Sequence, residues 1–236
     1  MLRHVTETGS TNADLVAATD AGTALDRTAL RADHQTAGRG RLDRRWDAPP
    51  GVNLLASLLF VEVPDRPSLL PRAVAIASLE AVEAVAGRRL SGRLGLKWPN
   101  DLLLDERKLS GVLAQRTAGG SVVVGIGLNV GWAPDGAASL ASDLDLEVSP
   151  AVVLEHLLER LDERLTSGDV GRRYRDRLST LGTRVQVQMP GGGSMTGIAT
   201  DIDDEGRLVL DADGSDADLG TVTLDVGDIV HLRPSG

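Results

Sequence analysis

The chain has 236 residues, a mass of 24.8 kDa and a formal net charge of −9 at pH 7. This length can bury the core of one large domain with a small appended one, while the acidic balance argues against duplex nucleic acid or an anionic membrane as the main partner. The sequence contains no cysteine, which excludes disulfides, cysteine-ligated zinc and thiol catalysis.

The histidines and the N-terminal segment exclude further classes. Four scattered histidines show neither HxH nor HExxH spacing, so a histidine metal site is not expected. The segment MLRHVTETGS lacks the apolar core of a signal peptide, and the longest apolar run, residues 52–61, is about half the length that spans a bilayer. We therefore expect a soluble, cytoplasmic protein without a membrane span.

The first predicted element is a short helix over residues 6–22, and a short strand over residues 28–32 follows it. Near the start of this helix stand three consecutive small polar residues, Ser10, Thr11 and Asn12. Such residues often only cap a helix N-terminus. Three of them together also form a hydrogen-bonding corner.

A loop rich in glycine and arginine, residues 34–46, follows this strand. Gly38 and Gly40 allow the backbone to approach a ligand closely, and arginine side chains fit phosphate or carboxylate through paired hydrogen bonds. The loop's arginines are Arg39, Arg41, Arg44 and Arg45. We expect the loop to be mobile without an anion and ordered with one, and Trp46 to act as a lid or anchor. A solvated loop or an RNA contact is the alternative.

Buried strands and a helix are predicted in the middle of the chain. The nearly continuous apolar run over residues 52–61 indicates a buried strand, and the alanine- and valine-rich residues 72–86 indicate a helix that Gly87 ends. Further strands are predicted over residues 94–98, 102–104, 111–115 and 121–127, the second and third forming a hairpin that turns at residues 105–107.

The chain contains two lysines, Lys97 and Lys108, against 23 arginines. Lysine carries a compact point charge, whereas arginine carries a planar fork. We interpret both positions as requiring a small ammonium group opposite a carboxylate or phosphate, with chance survival as the alternative. Asn100 and Asp101 form a turn between them, and we expect both lysines on one side of adjacent strands.

Helices give way to short strands in the C-terminal part. After a long connection over residues 132–149, Pro150 opens an amphipathic helix, and a second short helix is predicted over residues 170–178. From Thr183 onward, short alternating strands separated by glycine and aspartate turns suit a small β-barrel. We place a domain boundary at residues 180 and 181.

Six short motifs follow one another along the chain. They are Gly9-Ser10-Thr11-Asn12, the loop Gln35–Trp46 with its Gly38-Arg39-Gly40-Arg41 run, Gly51-Val52-Asn53-Leu54 with Ser57, Lys97-Trp98-Pro99-Asn100-Asp101, Lys108-Leu109-Ser110-Gly111, and Gly125-Ile126-Gly127-Leu128-Asn129. In this order they resemble the catalytic region of biotin protein ligases (biotin–[acetyl-CoA-carboxylase] ligases). The residues after 181 are similar to the small C-terminal barrel of that family.

The resemblance implies an α/β fold and a two-step reaction. The catalytic domain, residues 1–180, would be a mixed sheet with helices on one side, as in class II aminoacyl-tRNA synthetases. Residues 181–236 would form a small barrel like a Src-homology-3 domain. Biotin would react with ATP and Mg²⁺ to give biotinyl-adenylate, and a lysine of a biotin carboxyl carrier domain would then accept the biotinyl group.

The resemblance also assigns residues to roles. The catalytic residues would be Lys108, Arg39 and Arg41, with Lys108 bridging the biotin carboxylate and the α-phosphate. Biotin would be bound by Ser10, Thr11, Asn12, Gln35, Gly38, Arg39, Gly40, Arg41, Lys108, Gly111 and Leu113. ATP and the adenylate would be bound by Arg39, Arg41, Arg44, Trp46, Lys97, Asn100, Asp101, Lys108, Gly127 and Asn129. Asp101 would face the metal, which the phosphates mostly hold.

The sequence departs from the family pattern at two points. Asp43 stands where the family loop usually has glycine, so we expect it to point outward or to pair with Arg44 or Arg45. Family members that act as repressors carry an N-terminal DNA-binding domain; because this sequence starts almost at the first helix, we expect no such domain and no DNA binding. A homodimer is an open expectation.

Three other functions are alternatives to a biotin protein ligase. The first is a lipoate or octanoate ligase or transferase of the same fold, and the GRGR and KWPND motifs argue against it. A nucleic-acid-binding module and an inactive regulator are the others.

Overall fold

Two β-sheets organise the part of the chain that the computed structural model describes, residues 1–41, 44–90, 92–189, 192–213, 220–225 and 228–231. The larger sheet has seven strands in the order β1-β2-β3-β7-β6-β5-β4. Its outer pair β1 and β2 is parallel, and the remaining pairs are antiparallel. The strands are β1 Leu2–Thr8, β2 Ala29–Gln35, β3 Leu54–Phe60, β4 Leu94–Lys97, β5 Asp101–Leu104, β6 Arg107–Arg116 and β7 Val122–Leu128.

The smaller sheet has five antiparallel strands in the order β11-β10-β9-β8-β12. These are β8 Arg184–Gln188, β9 Ser194–Ile202, β10 Leu208–Ala212, β11 Thr221–Leu224 and β12 Asp228–His231. The mixed α/β architecture and the C-terminal run of short strands are as the sequence predicts. Val185, Ile202 and Leu208 are buried in the same apolar core as the helices and the large sheet, so the two sheets are packed together.

Within the described residues, five α-helices accompany the sheets: α1 Thr11–Asp20, α2 Leu69–Ala86, α3 Leu140–Leu144, α4 Pro150–Ser167 and α5 Val170–Asp176. Helix α4 begins as its sequence predicts, because Pro150 takes the first turn and the Ser149 hydroxyl accepts a hydrogen bond from the Val152 amide at 3.3 Å. Its buried stripe, Val153, Leu154, Leu157 and Leu161, packs into the main core. None of the helices in the described ranges is long and apolar enough to cross a membrane.

The two faces of the large sheet differ because successive side chains on a strand alternate between faces. Helices α2 and α4 cover one face, where Leu58, Phe60, Val124 and Ile126 lie in the main core. Helix α1 lies on the opposite face, where Leu15 contacts a small second cluster with Leu30, Leu59 and Val123. The expectation of helices on one side therefore holds for the large helices, and the short α1 is added on the other.

The predicted hairpin of β5 and β6 is present with a two-residue turn. Asp105 and Glu106 have positive φ angles of 48° and 62°, as a type I′ turn requires. The expected arrangement of the lysines is wrong, however. Lys97 ends β4 and Lys108 lies in β6, and both strands pair with β5, so one strand separates the two lysines.

The sequence does not predict strand β1, helix α3 or the 3₁₀ turn Gly87–Arg89 that follows α2. Strand β1 carries mostly polar and exposed residues, with only Val5 and Thr8 half-buried. An edge strand that lacks the usual alternation gives no periodic signal. Helix α3 spans five residues within the connection of residues 132–149, and a helix of this length is too short to show a period.

We predict that Ser149→Ala lowers the free energy of unfolding by about 1 kcal/mol, because the Val152 amide loses its capping acceptor. Urea unfolding followed by circular dichroism measures this. Ser149→Asp supplies another acceptor and serves as the control. An equal loss of stability in both variants would show that the cap is not the cause.

Candidate active site

A cavity of about 570 Å³ opens on the face of the large sheet that α2 and α4 leave uncovered. The N-terminus of α1 forms one wall. The described residues of the loop over 34–46, named the Gly–Arg loop from here on, form a second wall, and strands β5, β6 and β7 form the floor. Cavities of this size take small organic ligands, with a few polar groups that fix the ligand's orientation.

A buried network of polar side chains lies at the α1 end of the cavity. The Thr11 amide and hydroxyl donate to Gln35 Oε1 at 2.8 and 3.0 Å, and the Thr11 and Ser57 hydroxyls lie 2.7 Å apart. Ser57 in turn donates to Asn12 Oδ1 at 2.6 Å, and Asn12 Nδ2 donates to the Leu113 carbonyl at 3.3 Å. Each group orients the next, so this polar corner presents fixed donors and acceptors to a ligand.

Ser10 occupies the N-cap position of α1 and lines the cavity. Its hydroxyl makes no capping bond with the described residues. The simple capping interpretation of this residue is therefore wrong, and the residue contributes to the cavity lining instead.

Glycines on β6 and β7 make room for the groups above the sheet. A Cβ atom at Gly125 would lie 2.9 Å from Asn12 Cγ, and one at Gly127 would lie 2.7 Å from Trp46 Cζ2. Gly111 pairs with Gly127 across the strands, and a Cβ there would lie 3.3 Å from Trp46 Cζ3. Side chains at Gly125 and Gly127 would therefore overlap Asn12 and Trp46, which occupy the space that the missing Cβ atoms leave.

Trp46 reaches into the cavity from the Gly–Arg loop. Its backbone amide donates to the Gly38 carbonyl at 3.0 Å, which fixes the base of the side chain. The indole Nε1 is buried and has no hydrogen-bond partner among the described residues. Gly38 is itself buried and does not line the cavity; a side chain there would overlap the Trp46 carbonyl oxygen. Gly38 therefore supports the loop from behind.

Lys108 and Asp101 form an ion pair in the cavity. Lys108 Nζ lies 2.7 Å from Asp101 Oδ1, with the two side chains 40% and 22% exposed. The same ammonium lies 5.6 Å from the centre of the Trp46 ring, within cation–π distance. Asn100 beside Asp101 donates its side-chain amide to the Val112 carbonyl. The β5–β6 hairpin thus brings a cation, a carboxylate and an aromatic ring to one point.

The described part of the cavity lining is electropositive in an acidic protein. Five basic side chains line it against three carboxylates, which are Asp14, Asp47 and Asp101. The basic residues are Arg39, Arg41, Arg44, Arg45 and Lys108. An excess of positive charge in a concave site favours an anionic ligand.

The cavity brings together the predicted site residues except Gly38 and Lys97. Those that line it are Ser10, Thr11, Asn12, Gln35, Arg39, Gly40, Arg41, Arg44, Trp46, Asn100, Asp101, Lys108, Gly111, Leu113, Gly127 and Asn129. Lys97 pairs with Asp101 in the strand ladder but is not part of the lining. The predicted orientation of Asp43 lies outside the described residues.

Asn129 lines the cavity, but its amide group is engaged in the wall. Asn129 Oδ1 accepts from Asn53 Nδ2 at 3.3 Å, and Asn129 Nδ2 donates to the Ala138 carbonyl at 3.0 Å. Asn53 Oδ1 also accepts from the amides of Val130 and Trp132. The two asparagines therefore brace the loop that follows β7, which reaches the cavity through Pro134 and Ala137.

Sequence reasoning assigned no role to Asn53, Ser57, Pro134 or Ala137. Asn53 and Ser57 belong to one of the six motifs, so their positions were marked but their contacts were not. Pro134 and Ala137 lie in an irregular connection with no periodicity or motif. Only the fold reveals that this connection returns to the site.

The donor set near Asp101 bears on metal binding. The described residues contain no cluster of three or more histidine, aspartate or glutamate side chains that could hold a metal ion. Mg²⁺ in nucleotide sites is commonly held by one or two carboxylates and the substrate phosphates. A single carboxylate such as Asp101 fits that arrangement, and a metal cage built from protein ligands alone does not fit these residues.

Known proteins resemble this chain over nearly its whole length. Residues 23–131 match the biotin/lipoate A/B protein ligase family, and residues 180–232 match the biotin protein ligase C-terminal domain. The chain is 41% identical to the biotin–[acetyl-CoA-carboxylase] ligase of Mycobacterium tuberculosis, over 97% of this chain and 88% of that protein. It is 29% identical to the bifunctional ligase/repressor BirA of Bacillus subtilis, over 86% of this chain and 67% of BirA.

A solved structure matches the fold over nearly the whole chain. The biotin protein ligase of Aquifex aeolicus in complex with biotin and ATP superimposes with a TM-score of 0.81 and 26% sequence identity, and the match covers 99% of each chain.

We predict that Gly127→Ala displaces the Trp46 indole, because the new methyl group would occupy the space of the ring and overpacking costs about 1–3 kcal/mol. The displaced indole enters water, so the tryptophan fluorescence maximum shifts to longer wavelength. Gly119→Ala, where a Cβ meets open space, leaves the maximum unchanged. A shift of equal size when Gly127→Ala is made in a Trp46→Phe background would refute the assignment to Trp46.

Proposed function

Because this chain belongs to the biotin protein ligase family, we propose that its cavity activates biotin with ATP and that it transfers the biotinyl group to a lysine of a biotin carboxyl carrier domain. The observation that carries the proposal is the Lys108–Asp101 pair at the meeting point of the polar corner and the arginine-rich loop. The pair places the compact ammonium of Lys108 in the same cavity as the polar corner, which suits a small polar ligand, and the loop arginines, which suit phosphates.

The first step joins two anions. A carboxylate oxygen of biotin attacks the α-phosphorus of ATP, a new P–O bond forms, and the bond to the β-phosphate oxygen breaks to release pyrophosphate. The reacting groups repel each other until a cation offsets their charge. Lys108 serves as this cation, exchanging its contact with Asp101 for the incoming oxygens, while Arg39 and Arg41 bind the phosphate and carboxylate charge from the loop.

The second step transfers the acyl group. The neutral amine of a carrier lysine attacks the carbonyl carbon of biotinyl-adenylate, an amide bond forms, the amine loses a proton, and AMP leaves with the bonding electrons. Lys108 stabilises the negative charge that develops on the acyl oxygen. The family's carrier protein is the biotin domain of a carboxylase, and the exposed mouth of the cavity gives its lysine a route of approach.

The polar corner favours biotin over lipoate. The ureido ring of biotin offers two N–H donors and one carbonyl acceptor, which can pair with the Thr11, Asn12, Gln35 and Ser57 groups. The dithiolane ring of lipoate has neither. A site built of buried polar groups rejects a ligand that leaves them unpaired, so a lipoate or octanoate ligase is the weaker hypothesis.

The remaining residues have supporting roles in the proposal. Trp46 packs at the base end of the nucleotide, with Gly111 and Gly127 giving the space, and Asn100 faces the phosphates. Mg²⁺, held by Asp101 and the phosphates, would offset phosphate charge. The catalytic domain comprises residues 1–180 and the C-terminal domain residues 181–236. Absence of DNA binding, a homodimer and a cytoplasmic location remain predictions.

We predict that Lys108→Arg lowers the rate of biotin-dependent ATP–pyrophosphate exchange by at least about tenfold, because the planar guanidinium cannot replace a compact bridging charge. The wild-type protein should show exchange with biotin and none with lipoate. Arg116→Lys, a charge-preserving exchange at an exposed position of the same strand, is the control and keeps the wild-type rate. Wild-type exchange by Lys108→Arg would contradict the role of Lys108, and label transfer from lipoate alone would contradict the proposed function.

We predict that Arg39→Gly releases biotinyl-adenylate into solution, because the loop loses a cation that holds the anionic intermediate. Single-turnover reactions with radiolabelled biotin and no carrier protein, followed by rapid gel filtration, measure the retained fraction. Arg3→Gly, an exposed substitution on β1 outside the cavity, leaves retention unchanged. Equal retention by Arg39→Gly and the wild type would show that Arg39 does not hold the intermediate.

A further inference from the structure

The segment that carries Asn100 and Asp101 is held by contacts that come from outside the cavity. Trp98, two residues before Asn100, is 2% exposed. Its indole Nε1 donates to the Gly206 carbonyl at 2.8 Å, and its backbone amide donates to Thr180 Oγ1 at 3.1 Å. Gly206 lies in the turn between β9 and β10 of the smaller sheet, so the C-terminal sheet contacts the chain two residues from the active site.

The turn that receives this indole is held by hydrogen bonds and an ion pair of its own. The Arg207 amide donates to Asp203 Oδ1 at 2.9 Å, and the Arg207 guanidinium pairs with Asp203 at 2.7 Å. Arg72 of α2, 6% exposed, donates to the Asp204 carbonyl at 2.9 Å, and its Cζ lies 3.1 Å from the position that a Cβ atom at Gly206 would take. The Gly206 carbonyl is therefore a fixed acceptor.

A second contact fixes the next residue. The Tyr174 hydroxyl of α5 donates to the Pro99 carbonyl at 2.7 Å, and Tyr174 is 1% exposed. Burial raises the pKa of this hydroxyl, so it remains a donor. Trp98 and Pro99 are thus both fixed by donors and acceptors that take no part in the reaction.

We propose that Trp98 and Tyr174 are positioning residues, which hold the turn from Trp98 to Asp101 so that Asp101 meets Lys108 at the phosphate end of the cavity. The inference rests on the proposed function for its kinetic consequence only. The hydrogen bonds of the polar corner join α1 to β2, β3 and the Leu113 carbonyl of β6. None of them is made to residues 98–101, so we expect the biotin end to be less sensitive to this segment than the phosphate end. The C-terminal turn therefore acts on ATP binding more than on biotin binding.

Another contact between the catalytic part of the chain and the C-terminal sheet offers a matched control. Arg175 of α5 donates to the Ile202 carbonyl at 2.8 Å and pairs with Asp201 at 2.8 Å. It joins α5 to β9 without touching residues 98–101. Loss of this contact weakens the packing of the C-terminal sheet, and it leaves the positioning of Asp101 intact.

The test compares Trp98→Phe and Tyr174→Phe with Arg175→Ala. Each of the first two removes one hydrogen bond, and the KM for ATP in pyrophosphate exchange should rise roughly fivefold, as the loss of one such bond implies. The KM for biotin should stay within about twofold of the wild-type value. Arg175→Ala should change neither KM. Equal changes in both KM values, or unchanged KM for ATP with lowered thermal stability, would refute positioning.

Hydrogen–deuterium exchange provides a readout that does not depend on activity. The peptide over residues 99–104 should exchange faster in Trp98→Phe and Tyr174→Phe than in Arg175→Ala. If the wild type catalyses no biotin-dependent ATP–pyrophosphate exchange, the proposed function fails. The hydrogen–deuterium exchange rates of the variants still decide whether Trp98 and Tyr174 position this segment. If the wild type is active and the peptide exchanges equally in the three variants, only the positioning inference fails.

Discussion

The site depends on a steric constraint, the absence of Cβ atoms at Gly111, Gly125 and Gly127 on the cavity side of β6 and β7. At Gly125 and Gly127 a side chain would overlap Asn12 or Trp46, and at Gly111 it would press against Trp46 and Lys108. Ile126, between the two glycines of β7, and its cross-strand partner Val112 on β6 are apolar and buried, and they lie in the core on the side of the helices. The same two strands thus form the core on one face and the floor of a cavity on the other. Glycine in a strand weakens the strand, and this fold accepts that weakness where the ligand must approach.

The Lys108–Asp101 pair is a poor device for stability. Both side chains are partly exposed, and such pairs contribute at most about 1 kcal/mol. What the pair does is hold a cation in place at the cavity while leaving it able to exchange partners. A buried pair would resist that exchange, because separating it would leave an uncompensated charge out of water. The partial exposure of the pair is therefore consistent with a group that moves between a protein carboxylate and an anionic ligand.

The motifs predicted most of the residues that meet at the cavity, and the periodicity predicted most of the elements that carry them. Prediction failed where the physical signal was missing. Strand β1 is polar and lies at a sheet edge, helix α3 has five residues, and Asn53 acts through partners 76 or more residues away. The predicted position of the two lysines on adjacent strands is wrong, because the sequence of a hairpin does not show on which side a third strand joins it. Strand order and contacts between residues far apart in the chain arise from the topology, and short sequence patterns carry no information about it.

The strand topology also explains why the two lysines differ. Lys97 ends β4, one strand beyond β5 and outside the cavity lining, so its survival in an arginine-rich chain is not explained by the cavity. Lys108 has its Cε and Nζ 3.2 Å from the position of a Cβ at Gly111 and its ammonium over the Trp46 ring. A guanidinium is larger and planar, and at this point it would need the space that Trp46 and the glycine floor share. The requirement for a compact charge that we propose therefore concerns Lys108 and not Lys97.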